Sequence, residues 1–151
     1  MLISGGQAGA DRAGLDWAIG HGVRHGGWCP KGRKSEDGPL PDRYRLQETP
    51  SASYLQRTEW NVRDSCVTLI LTLADRLDGG SKKTAEFADL LGKPWLHVRP
   101  AVHPNYVARF LVRHQVALLN IAGKRESAAP GVGDFTGELL SAAMQVAGAH
   151  A

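Results

Sequence analysis

Two kinds of apolar pattern alternate along the chain. Residues Cys66-Val67-Thr68-Leu69-Ile70-Leu71-Thr72 are almost continuously apolar and β-branched, which predicts a strand covered on both faces and makes this run the expected central strand. Shorter runs at Met1-Leu2-Ile3, His25 to Cys29, Trp95 to Val98 and Val116 to Ile121 predict further strands. Between them the apolar positions recur every three or four residues, which predicts helices. The expected inner faces are Ala13, Trp17, Ala18 and His21; Tyr54, Leu55, Thr58 and Val62; Thr84, Phe87, Ala88 and Leu91; Val107, Phe110, Leu111 and His114; and Phe135, Leu139, Leu140, Ala143, Met144 and Ala147. Strands alternating with helices predict a mainly parallel sheet covered on both sides, a Rossmann-like three-layer α/β sandwich. At 151 residues the expected organisation is one domain, 1–151, large enough to bury a core without disulfides or a structural metal.

The polar punctuation is more informative than the strands. Ser4-Gly5-Gly6-Gln7-Ala8-Gly9-Ala10-Asp11-Arg12 joins the first strand to the first helix. Glycines there let a ligand approach the backbone, and the free N–H groups of the helix offer donors to an anion. Asp11 and Arg12 fall in the first helical turn, where arginine can grip a phosphate and the acid can cap the helix or accept a sugar hydroxyl. This is neither a GxGxxG fingerprint nor a GxxxxGK[ST] loop, so it does not identify the ligand. In an open parallel sheet, ligands bind at the carboxyl ends of the strands. Four polar loops are expected there: Gly5-Gly6-Gln7, Pro30-Lys31-Gly32-Arg33, Gly79-Gly80-Ser81, and Gly123-Lys124-Arg125-Glu126-Ser127. The long Gly- and Pro-rich stretch from Lys31 to Tyr44 reads as a functional loop. A valine at Gly6 is expected to fill the phosphate position and leave the fold intact.

Net charge is a mild +3, but the basic residues bunch in loops, which favours a local anion pocket over a continuous nucleic-acid groove. No apolar run approaches the ~20 residues of a membrane span, and the start of the chain carries no secretory pattern, so a cytoplasmic location is expected. Cys29 and Cys66 are expected to be buried, reduced thiols. No metal-ligand pattern stands out, His21 and His25 included. Glu59 and Glu86 are the candidate general bases if the protein is an enzyme, each with an ordinary exposed-acid reading beside it. Trp28, Tyr44 and Trp60 are candidate stacking surfaces for a planar ring.

Five blocks, SGGQAGADRAGLDWA, GGWCPKGRKSEDG, LQETPSASYLQRTEWNVRDS, GGSKKTAEFA and LNIAGKRES, together resemble the putative molybdenum carrier protein family, in the circularly permuted YpsA-like branch of the SLOG superfamily, whose relatives include LOG-type nucleotide hydrolases. The resemblance implies a Rossmann-like fold, often a homo-oligomer, that binds a nucleotide-like or pterin-phosphate ligand, with the molybdenum cofactor as a candidate. By motif it implies ligand contacts from Gly5, Gly6, Gln7, Gly9, Asp11 and Arg12, from Gly79, Gly80, Ser81 and Thr84, and from Arg57, Glu59 and Asn61. Two departures stand out. Cys66 occupies a position associated with an acid, and Gly79 to Glu86 lacks the inner glycine of the hydrolase pattern PGGxGTxxE and shifts its threonine, so hydrolase chemistry does not transfer. Together with Lys31, Arg33, Arg125 and Ser127 from the rim loops, these residues make the expected site. The expected function is a carrier that binds an anionic phosphorylated heterocycle; the alternatives are a hydrolase or sensor of nucleotide derivatives and a single-stranded nucleic-acid binder.

Overall fold

The computed structural model describes residues 1–149, so the last two residues of the expected domain lie outside the described residues. The chain runs β1 (Leu2–Ile3), α1 (Ala10–Gly20), β2 (His25–Gly26), β3 (Trp28–Cys29), β4 (Gln47–Glu48), α2 (Tyr54–Asp64), β5 (Val67–Leu71), α3 (Gly79–Leu90), β6 (Trp95–Val98), α4 (Pro104–Arg113), β7 (Leu119–Gly123) and α5 (Val132–Ala149). Five strands form one parallel sheet in the order β2-β1-β7-β5-β6. The architecture is the expected three-layer α/β sandwich. The middle position belongs to β7, however, while β5 lies between β7 and β6 and is buried at all five residues. Continuous apolarity reports cover on both faces, which every interior strand has, and does not single out the middle one.

The layers follow from the handedness of parallel crossovers. Steps toward β2, from β1 through α1, and back from β6 through α4 to β7, put α1 and α4 on one face, where both pack on α5. Steps toward β6, through α2 and α3, put those two helices against each other on the other face. The switch between faces falls between the neighbouring strands β7 and β5, and the loops after β1, β7 and β5 open onto one rim.

The expected strand from His25 to Cys29 is broken at Gly27, whose φ of 123° is a conformation side chains resist. A Cβ there would also run into the backbone of Ser4. β2 therefore pairs with β1, while β3 leaves the sheet and pairs with β4, a strand of two exposed polar residues that carries no apolar signal.

Helical faces are shifted from the apolar stripes. The buried side of α2 is Thr58, Asn61 and Val62, with Leu55 49% exposed. That of α3 is Ser81, Thr84, Ala85 and Ala88, and that of α1 includes Asp11, Gly14 and Leu15 while His21 is exposed. In each case polar or small residues take inward positions near the rim. Cys29 is buried as expected; Cys66 is exposed, because it precedes β5 instead of belonging to it.

Candidate functional site

The first turns of α1, α2 and α3 converge on a cavity of about 200 Å³ at the carboxyl rim. Gln7 and Asp11 reach it from the turn after β1, Tyr54, Arg57 and Thr58 from α2, Gly80, Ser81, Lys83 and Thr84 from α3, and Gly123, Lys124 and Arg125 from the end of β7. Of the expected site residues it gathers Gln7, Asp11, Arg57, Gly80, Ser81, Thr84 and Arg125.

Its floor is an ion pair. Arg57 Nη1 donates to Asp11 Oδ2 at 3.1 Å, with the two side chains 13% and 4% exposed. Burial pushes the Asp11 carboxyl above its usual range, against the opposing pull of Arg57 and of the Gln7 N–H that donates to it. Burial likewise holds Arg57 below the usual arginine range, with Asp11 opposing. Each charge is tenable there because the other is present. Gly5 underlies the pair: a Cβ at that position would collide with the Arg57 side chain.

Three buried side-chain atoms have no hydrogen-bond partner among the described residues: Gln7 Oε1, Arg57 Nε and Ser81 Oγ. All three belong to residues that line this cavity. Buried polar groups are nearly always paired, so three orphans around one cavity mark a place for polar ligand atoms. The α3 terminus adds donors. Its N-cap residue, Asp78, makes no capping bond; its carboxylate is instead paired with Lys124. The first N–H groups of α3 thus lack a side-chain acceptor.

The surroundings are cationic. Arg125, Lys34 and Arg57 lie 4.4, 4.6 and 5.7 Å from the centre of the Tyr54 ring. Lys83, Lys124 and Arg125 each have a carboxylate partner, Glu86, Asp78 and Glu36, but those acids stand outside the cavity lining, and Asp11 is the acid inside it. The field across the cavity therefore favours an anion.

The remaining expected residues stand elsewhere. Gly6 is buried with φ 75°, and a Cβ on it would meet Leu40 and Leu46 at 2.8 Å, so a valine there strikes side chains beneath the long loop instead of filling a phosphate position, and is expected to destabilise the fold. Arg12 turns away from the cavity and grips Asp37 through two bonds of 2.5 and 3.0 Å. It lines a separate groove between α1 and α5 with Gly9. Arg33 is structural, donating to the carbonyl oxygens of Leu40, Pro41 and Tyr44 and so closing the 31–44 loop on itself. Asn61 holds both backbone polar groups of Trp28. Ser127 donates to Glu36; Lys31 and Gly79 are not in the lining. Neither are Glu59 and Glu86, the latter an exposed partner of Lys83 at 3.3 Å. Trp28 packs edge-on against Trp60, and Tyr44 is in the core with its hydroxyl on Asp16. The aromatic ring at the cavity is Tyr54, the first residue of α2, expected from the sequence only as part of that helix's inner face.

No group of His, Cys, Asp and Glu able to hold a metal ion occurs among the described residues, and none of the described helices is long and apolar enough to cross a membrane. An apolar cavity of about 500 Å³ lies at the opposite rim, between α1, α4 and α5, but none of the three orphaned atoms is in its wall.

Residues 2–144 match the model of the circularly permutated YpsA SLOG family. The chain is 44% identical to a putative molybdenum carrier protein from Syntrophus aciditrophicus of known crystal structure, with a TM-score of 0.90 over 95% of this chain and 93% of that one. No curated protein matches it.

Proposed function

This chain belongs to the circularly permuted YpsA SLOG family, and on that premise we propose that it is a carrier that holds a small anionic ligand, a phosphorylated heterocycle of the pterin or nucleotide kind, in the rim cavity and returns it unchanged. The likeness to a molybdenum carrier supports the carrier reading, and molybdenum cofactor is one such ligand. The observation that carries the proposal is the set of orphaned atoms on Gln7, Arg57 and Ser81 around one cavity. Two donors and an acceptor there match a ligand with both anionic and neutral polar atoms. The acid in the wall, Asp11, is ion-paired with Arg57, and on this reading it orients the bound ligand without exchanging a proton with it. Such a site stabilises ground state and transition state alike and accelerates nothing.

Mass spectrometry of the protein after incubation with nucleoside monophosphates tests this directly. A carrier returns the monophosphate intact. Free base and ribose phosphate, absent with an Asp11→Asn variant, would replace the carrier by an N-glycosidic hydrolase.

A further inference from the structure

The two ends of the Gln7 amide are not interchangeable. Nε2 donates to the Lys34 carbonyl oxygen at 2.8 Å; flipping the amide would set oxygen against oxygen, so this bond fixes the orientation. Oε1 is then the end without a partner, in a residue that is 2% exposed. Gln7 lines the cavity and Lys34 does not, and Oε1 is the one polar end of the Gln7 side chain left without a partner. A carbonyl oxygen accepts hydrogen bonds and offers none. Sulfate, molybdate and a fully ionised phosphoryl group are also acceptors only, and none of them can satisfy it. Asp11 is a second acceptor in the same wall, whereas Arg57 Nε and Ser81 Oγ supply the donors an anion needs.

We infer that Gln7 selects the ligand by a neutral hydrogen-bond donor: the cargo is an organic anion whose anionic end meets Ser81 and the first turn of α3 and which directs an N–H or O–H at Gln7 Oε1. This rests on the binding function proposed above and narrows it, because a bare inorganic oxyanion leaves Gln7 unpaired in the bound state. The donor belongs either to a heterocyclic ring or to a sugar hydroxyl, and both present the same chemistry to the amide.

Calorimetric titration at neutral pH with sulfate, molybdate, ribose 5-phosphate and guanosine monophosphate tests the inference. The wild-type protein is expected to bind at least one organic phosphate about tenfold more tightly than either inorganic anion, a ratio worth about 1.4 kcal/mol and within the reach of one satisfied hydrogen bond. An advantage shared by ribose 5-phosphate identifies a hydroxyl donor; one confined to the nucleotide identifies a ring N–H. Gln7→Met, which keeps the length and removes the amide, should erase the advantage of the organic phosphate over the inorganic anions. Inorganic anions that bind wild type as tightly as both organic phosphates would overturn the inference while leaving an anion carrier standing. If none of the four probes binds, the inference and the proposed function fall together. The wild-type ratio decides the matter alone should Gln7→Met fail to fold.

Discussion

In the turn after β1, Gly6 donates its N–H to Ser4 Oγ and receives Arg12 Nε on its carbonyl oxygen, and a side chain on it would strike Leu40 and Leu46. In the turn that opens α3, an added Cβ at Gly80 meets nothing within 4 Å, the N-cap makes no capping bond and Ser81 Oγ has no partner. Both turns are Gly-Gly followed by a polar residue, Gln7 in the first and Ser81 in the second, and both lie on the rim. In the first, the backbone groups and the absent side chain serve close packing beneath the 31–44 loop. In the second, they leave room and donors at the cavity. A glycine pair therefore reports a constraint on the backbone, and only the neighbours decide whether the constraint comes from the core or from a ligand.

Substituting the two glycines gives the largest expected contrast. Gly6→Val places a β-branched residue at φ 75° against two leucines, combining backbone strain with overpacking, and should cost about 4 kcal/mol. Gly80→Ala should leave stability unchanged or raise it by up to about 1 kcal/mol, since alanine is the better helix former, yet weaken ligand binding by crowding the approach to α3. Urea unfolding of both variants checks the pair. Equal losses would show that the two turns do the same work.

Arg57 tests how far the first turn supports the cavity as well as the core. Arg57→Met leaves Asp11 buried without its partner and should destabilise the protein by about 3 kcal/mol near neutral pH. The pH dependence has a definite sign. With its folded-state pKa raised above 3.8, Asp11 holds a proton in the folded state that the unfolded chain has released, so stability falls as pH rises through that window. Removing Arg57 removes the main opposing pull, and the variant's deficit should therefore shrink toward about pH 4. A deficit constant from acid to neutral pH would argue that Asp11 is not the group left stranded. Adding Asp11→Asn should recover part of the loss.

Much of the fold was legible because it depends on repeated local signals: β5, α4 and α5 announce themselves by runs and stripes of apolar residues. β4 did not, since Gln47 and Glu48 pair through the backbone alone, and the split at Gly27 depends on the nearness of Ser4, a long-range contact. The site divides in the same way. Ser81 was readable from its place in a rim loop, Thr84 from the family motif, and Asp11 from its place in a first helical turn. Arg12 looked like the anion-binding arginine for the same reason, but Asp37, twenty-five residues on, takes it, and Arg57, in the first turn of α2 and expected only from the family resemblance, reaches the cavity instead. Which of two arginines faces a cavity is set by where the long loop folds back, and no local pattern carries that.

The Arg12 to Asp37 contact should show the smaller effect of a surface latch. Arg12 holds the Asp37 carboxyl well below the usual range, with help from Ser35. A lowered folded-state pKa gives stability that is present above the unfolded value of 3.8 and lost as pH falls through the folded one. The Asp37 side chain is 51% exposed, so solvent screening limits Asp37→Asn to a loss of about 0.5–1 kcal/mol at neutral pH. Melting curves of wild type and variant should converge in strong acid, and ligand affinity should hardly change, because neither residue lines the cavity.

Ser81 should have the least effect on stability and a clear one on binding. Its hydroxyl is buried without a partner, so Ser81→Ala removes a desolvated group and forfeits no bond; the folded state should be unaffected or gain up to about 1 kcal/mol. Alanine also suits a first helical turn and leaves the α3 backbone in place. If that hydroxyl is there for an anion, the variant should lose about tenfold in affinity, the worth of one hydrogen bond to a charged acceptor. The loss should be alike for sulfate and for an organic phosphate, since Ser81 meets the anionic end that both share, which sets it apart from Gln7. A variant less stable than wild type and unaltered in anion affinity would mean that the Ser81 hydroxyl is a structural group and that α3 opens onto a cavity without an anion subsite.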